Sequence, residues 1–169
     1  MSNPAAAHAL EKMLEVLVGQ PCWLIRMRPY HRLVMDLGSK IADISPVSQK
    51  PFTRGEWRLQ TLAAYWRFES QAETVVGSGD EDELISARIG MLQGLVVKSI
   101  QVVPPALDLV MAFSDQQTLR LFGVTSQQHP QWRMITPTGE VITVEPKGVW
   151  TLKGAEGETP LSPPELPPA

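Results

Sequence analysis

The chain has 169 residues, of which 43% are apolar and 20% charged, and its formal net charge is −3. This composition supplies enough large side chains for a core without a metal or disulfide staple, and the charge balance speaks against a nucleic-acid partner, which calls for a basic surplus. Cys22 is the single cysteine, so no internal disulfide can form, as expected of a chain kept in a reducing, cytoplasmic compartment. No apolar run approaches the ~18 residues that span a bilayer, so no membrane association is expected.

Residues 3–18 predict a helix. Asn3 can cap it, Pro4 suits its first turn, and Leu10, Met13, Leu14 and Leu17 recur at helical spacing. Gly19 supplies a left-handed terminator. Trp23, Ile25 and Met27 then fall on one side of an alternating run, Pro29-Tyr30-His31 interrupts, and Leu33, Met35 and Leu37 form a second alternating set. Residues 23–37 thus predict a hairpin, with a short strand near Ile41–Ile44. The Ser- and Pro-rich stretch 45–56 predicts a loop, 57–69 a strand, and 70–80 a connector. Asp80 and Glu83 have the spacing of an acidic capping box. Ile85, Ile89 and Leu92 predict a second helix that Gly94 ends. Strands are expected near 95–103, 107–113, 118–122, 131–136, 140–145 and 149–152, with Thr138-Gly139 in a hairpin turn. The last ten residues hold Pro160, Pro163, Pro164, Pro167 and Pro168, a composition that predicts an extended tail.

The two halves repeat one pattern. At an offset of 75 residues Leu10, Leu14, Leu17 and Gly19 fall on Ile85, Ile89, Leu92 and Gly94, and Pro29 falls on Pro104. The same offset sets Trp57-Arg58-Leu59 on Trp132-Arg133-Met134, which predicts that both tryptophans are core residues. A slip of one residue sets Leu33-Val34-Met35 on Leu109-Val110-Met111. The expected fold class is α+β: two similar helix-plus-antiparallel-sheet halves packed as one pseudo-symmetric domain. The domain covers 1–153, with halves at about 3–69 and 80–152, and 154–169 form a Pro-rich flexible tail. Neither unit can hide its sheet face alone, so the halves should pack together with a cleft at their junction.

The run Leu92-Gln93-Gly94, Val97-Lys98-Ser99-Ile100, Leu107 through Asp115, Trp132, Pro137-Thr138-Gly139 and Gly148-Val149-Trp150 resembles a family of small bacterial proteins similar to the immunity-type proteins encoded near polymorphic toxins. The resemblance spans roughly residues 10–152. It implies a non-enzymatic protein-binding module that occludes a partner protein, and it implies no catalytic residue and no cofactor.

Residue chemistry points the same way. His8, His31, His129 and Cys22 lack metal-ligand spacing, so no metal is expected. There is no Gly-x-Ser-x-Gly elbow, and Gly77-Ser78-Gly79 leads into acids that would repel phosphate. Binding residues are therefore sought where charge and aromatics concentrate. Residues 20–68 hold eight Lys or Arg against three acids, and 69–83 hold six acids and no base. Arg28, Tyr30, His31 and Arg32 at the hairpin tip are residue types that dominate binding hot spots. Trp23 and Trp66 have no aromatic counterpart in the other half and mark a contact surface where exposed. Asp80 and Asp82 form an acidic counterpart, although acids at a helix start are also accounted for by the helix dipole. Two other readings are a small-ligand binder or enzyme using the inter-half cleft, and a component of a larger assembly docked through the tail. Oligomeric state does not follow from the sequence.

Overall fold

A computed structural model describes residues 4–154, so the Asn3 cap and all but Gly154 of the expected tail lie outside the described residues. Helix α1 (Pro4–Leu14) tightens into a 3-10 turn at Glu15–Leu17, and Leu10, Leu14 and Leu17 are fully buried. Gly19 follows at φ +90°, a conformation nearly free of cost only for glycine. Strands β1 (Cys22–Arg28), β2 (Arg32–Ile44), β3 (Pro51–Thr61), β4 (Tyr65–Glu69) and β5 (Thr74–Gly77) lead to helix α2 (Asp82–Arg88), which ends in a 3-10 turn at Ile89–Leu92. Strands β6 (Val97–Val103), β7 (Asp108–Phe113), β8 (Thr118–Phe122), β9 (Trp132–Ile135), β10 (Val141–Glu145) and β11 (Val149–Lys153) complete the described chain.

The strands form two antiparallel sheets, ordered β1-β2-β3-β9-β10-β11 and β5-β4-β8-β7-β6. The class is mixed α+β, dominated by sheet. Each sheet draws strands from both halves of the chain: β4 and β5 leave β3 to join β8, and β9 and β10 leave β8 to join β3. The two helix-to-strand junctions meet at a Pro21–Val96 bridge. There Gly19 N–H donates to Val97 O at 2.8 Å and Gly94 N–H to Cys22 O at 2.7 Å, while Cys22 N–H donates to Leu95 O and Val97 N–H to Gln20 O.

One continuous core takes residues from both sheets and both helices, including Leu14, Met35, Leu59, Trp66, Phe68, Ile85, Met111, Leu121, Trp132 and Ile142. Full burial of one such aliphatic side chain stabilises by about 1.5–3 kcal/mol, so a core common to both sheets favours their joint folding. Among the described residues no helix is long and apolar enough to cross a membrane.

Several expectations change. The stretch 45–56 is not all loop, because β3 begins at Pro51 and pairs with β2 out to Ile44. The expected strand 57–69 breaks at 62–64, where Leu62 and Ala64 N–H groups bond to Gln131 O and Ala63 N–H to Pro130 O. Its two pieces belong to different sheets. The connector 70–80 contains β5, outside the expected bounds of either half. The capping box does not form: Asp80 Oδ2 accepts from Gly77 N–H at 2.8 Å, and Glu81, the residue at the cap, makes no side-chain cap bond.

Trp57 and Trp132 are not equivalent. Trp57 pairs with Leu37 in β3, and Trp132 lies in β9 opposite Thr61 and Val144. Trp132 shares a local feature with Trp66. Trp66 Nε1–H donates to His31 O at 2.7 Å and Trp132 Nε1–H to Leu107 O at 3.1 Å, and both acceptor residues have positive φ just before a strand. Strands β2 and β3 run 13 and 11 residues against 6 and 5 for β7 and β8. The surplus forms an arm that bends at Gly38 (φ +81°) and at the bulge between Leu37 and Lys40. Arg54 joins the arm's two strands through Asp43 at 2.7 Å and ties the arm down through Thr136 O at 3.3 Å.

Candidate functional site

Strand register shows where the basic charge goes. Directly opposed residues of an antiparallel pair share a face, so Arg26, Val34, Gln60, Arg133, Thr143 and Thr151 form one row across the first sheet. The row points away from the core, because the flanking Ile25, Met35, Leu59 and Met134 are buried core residues. Arg28 and Arg32 are opposed at the hairpin end of the same face. Asp36 and Arg58 are opposed at its other side, and both are buried, with Arg58 Nε–H donating to Asp36 Oδ1 at 2.7 Å and its terminal nitrogen to Oδ2 at 3.0 Å. Arg26, Arg28 and Arg32 therefore share one sheet face with Arg133 from the far end of the chain and with the buried, Asp36-paired Arg58, so part of the basic charge of residues 20–68 gathers there.

A groove of about 450 Å³ lies on this face. Arg28, Tyr30, Arg32, Gln60, Leu62 and Arg133 are among the residues lining it. Arg133 Nε–H donates to Gln60 Oε1. Arg28 and Tyr30 are exposed, and Arg32 is half-buried. Burial pushes the Arg32 guanidinium below its usual range, opposed by Tyr30. Arg26 is pushed down by burial first, then by Arg58 and Arg28, and its buried Nε has no hydrogen-bond partner among the described residues. Desolvation is thus the larger influence on both guanidiniums, and Arg58 and Arg28 add to it at Arg26.

The other sheet sets one carboxylate against two arginines beside its row Gln101, Val110, Arg120, Arg67 and Gly77. There Glu69 accepts from Arg67 at 2.6 Å and Arg120 at 3.1 Å, and its carboxyl is held below the usual range: burial alone would raise it, and the bonds to Arg67 and Arg120 overcome that. The last pair of the β6–β7 hairpin is Val103 and Asp108, where the β1–β2 hairpin has Arg28 and Arg32. Such a hairpin closes without arginine.

The structure brings some of the expected site residues together. Tyr30 (φ 67°) and His31 (φ 57°) hold a left-handed tip, and Tyr30 is 67% exposed. His31 reaches across to the acidic stretch, with Nδ1 2.6 Å from Ser78 O and Nε2 2.5 Å from Asp82 Oδ1. The basic tip and Asp82 are thus one cluster. Asp80 serves its own turn through Gly77. Trp66 is 2% exposed, so its ring offers no contact surface, and it holds the tip from beneath. Trp23 is half-buried under Lys40, whose Nζ stands 4.8 Å from the ring centroid. Gln60 and Arg133 were missed in the sequence. Arg133 was in view only as part of the Trp-Arg match, and its place in the groove depends on the β3–β9 pairing.

Among the described residues no three His, Cys, Asp or Glu side chains gather as a metal site. The arrangement can hold carboxylates or other anions against guanidinium groups, beside an exposed tyrosine. Comparison with protein-family models, curated proteins and solved structures finds no match for the chain.

Proposed function

We propose that this chain is a non-enzymatic protein-binding module of the immunity type, which seats an acidic segment of a partner protein in the arginine groove and acts by occlusion. The observation that carries the reading is the gathering of Arg28, Arg32 and Arg133 around one groove of about 450 Å³ beside exposed Tyr30. Arg and Tyr concentrate binding energy when a partner excludes water from them, and complementary charge speeds encounter.

The pseudo-symmetric relation between halves belongs to the same proposal. Its support is the paired bonding of Gly19 with Val97 and of Gly94 with Cys22, together with the alike strand orders of the two sheets. On that reading the groove marks where the copies diverged: one sheet sets Glu69 between Arg67 and Arg120, and the other carries Arg28 opposite Arg32 at its hairpin end. The core runs unbroken from one half into the other, which favours the outer-face groove over a ligand cleft at the junction.

Titration of a fluorescein-labelled hexaglutamate peptide into the full chain at low salt tests the reading. Binding is expected to weaken with salt and to fall about tenfold or more in Arg28→Glu/Arg32→Glu. The charge-matched control Lys12→Glu/Lys98→Glu, away from the groove, should keep it. No binding to hexaglutamate, or equal losses in both variants, would remove the groove as the site. Preference for an oligonucleotide over the peptide would replace the protein partner with a nucleic acid.

A further inference from the structure

We infer that His31 is a proton-operated clasp that sets the hairpin tip and so regulates the arginine groove; the regulatory consequence rests on the binding reading above, whereas the clasp itself does not. A carbonyl oxygen only accepts, an ionised carboxylate only accepts, and a neutral imidazole carries one N–H. Ser78 O and Asp82 Oδ1 stand 2.6 and 2.5 Å from the two ring nitrogens. Both contacts are satisfied together only by the imidazolium. Removal of its proton leaves one oxygen facing a lone pair.

The tip needs such a restraint. Tyr30 and His31 both lie at positive φ, which residues with a Cβ adopt reluctantly. Two further bonds converge on the same place: Trp66 Nε1–H to His31 O at 2.7 Å, and Trp66 N–H to Ser78 Oγ at 3.0 Å. Trp66 therefore holds both jaws, and the histidine ring closes them. The groove is built from the residues around the clasp, since Arg28, Pro29, Tyr30 and Arg32 all line it. A tip that lets go moves one wall of the groove.

The charges around the ring act in one direction. The start of α2 presents Asp82 and, behind it, Glu81. The bond to Ser78 O is the largest influence raising the His31 pKa above the ordinary value; partial burial opposes it, and Asp82 and Glu81 add to the rise. Strand β4 contributes the uncharged indole of Trp66, and the hairpin's own Arg28, Tyr30 and Arg32 line the groove. With a raised folded-state pKa, the clasp is complete below the unfolded histidine value of about 6.5 and is lost as pH rises through the folded value.

The test is nitrogen-15 and carbon-13 NMR of the histidine rings in the full chain from ~pH 5.5 to ~pH 9, spanning histidine titration. The expected result is a doubly protonated His31 ring whose midpoint lies above about 6.5, with Tyr30 and Ser78 amide signals moving at the same midpoint. Asp82→Asn should lower that midpoint, and His31→Gln should abolish the pH dependence at Tyr30. Titration at or below the ordinary value, or Tyr30 and Ser78 signals that ignore it, would overturn the clasp. Hexaglutamate affinity should fall several-fold across the same window in the parent chain and stay level in His31→Gln; a parent affinity that stays level overturns the regulation. If the peptide binds at no pH, the acidic-segment reading fails and the regulation fails with it, while the ring spectra still decide the clasp.

Discussion

The buried Asp36–Arg58 pair offers the sharpest test of how the basic face is held. Their side chains are 1% and 8% exposed, and the guanidinium meets the carboxylate through two bonds of 2.7 and 3.0 Å. Asp36→Asn preserves size but removes the negative charge and turns an amide donor toward another donor. Arg58 then keeps its charge out of water with the Phe52 ring, 5.2 Å away, as weak compensation. Breaking one side of a buried pair costs about 3–5 kcal/mol. With a urea dependence of about 2 kcal/mol per molar, the midpoint should fall by about 1.5–2.5 M. Replacing both charges, as Asp36→Leu/Arg58→Met, strands no ion and should lie within about 1 kcal/mol of the parent or above it. Equilibrium urea unfolding followed by tryptophan fluorescence reads both. A loss below about 1 kcal/mol for Asp36→Asn, or a double variant as weak as the single one, would refute the reasoning.

Two further outcomes follow from buried geometry. The Cys22 thiol is pushed up to about 12, by burial first and then by the Asp36 carboxylate. In the native chain it should react with Ellman's reagent no faster than the fold opens. Because the folded thiol keeps a proton that the unfolded chain releases above about pH 8.5, stability should decline with pH there, and Cys22→Ala should flatten that decline in thermal melts. At Gly148 (φ +70°) an added Cβ would stand 2.1 Å from Pro105 O. Gly148→Ala should therefore destabilise by about 2 kcal/mol or more, and a melting temperature within a degree of the parent would show that the loop yields freely.

Local structure was legible where its cause was local. Alternation of Trp23, Ile25 and Met27 and of Leu33, Met35 and Leu37 marked β1 and β2, and helical spacing with Gly19 and Gly94 marked both helices and their ends. The candidate site was half legible. Arg28, Tyr30, His31 and Arg32 declared themselves as a cluster along the chain, and Asp82 as part of an acidic one. Their meeting was hidden, because His31 and Asp82 are joined only after β4 and β5 carry the chain into the second sheet. The strand and burial of Trp57 were legible, but the burial of Trp66 was not, since a tryptophan in an alternating run fits a core or a contact surface equally well.

Composition, hydrophobic period and turn chemistry act within a few residues of themselves, and the sequence alone therefore determined most strands, both helices and the positions of most of the turns. Which strands pair is settled by burial shared between distant segments. Tertiary structure alone decided that β4 and β9 cross between sheets, that Arg133 joins Arg28 and Arg32, and that Asp36 is buried against Arg58. The physical reason is that strand exchange leaves every local pattern unchanged while altering which face each side chain turns to water.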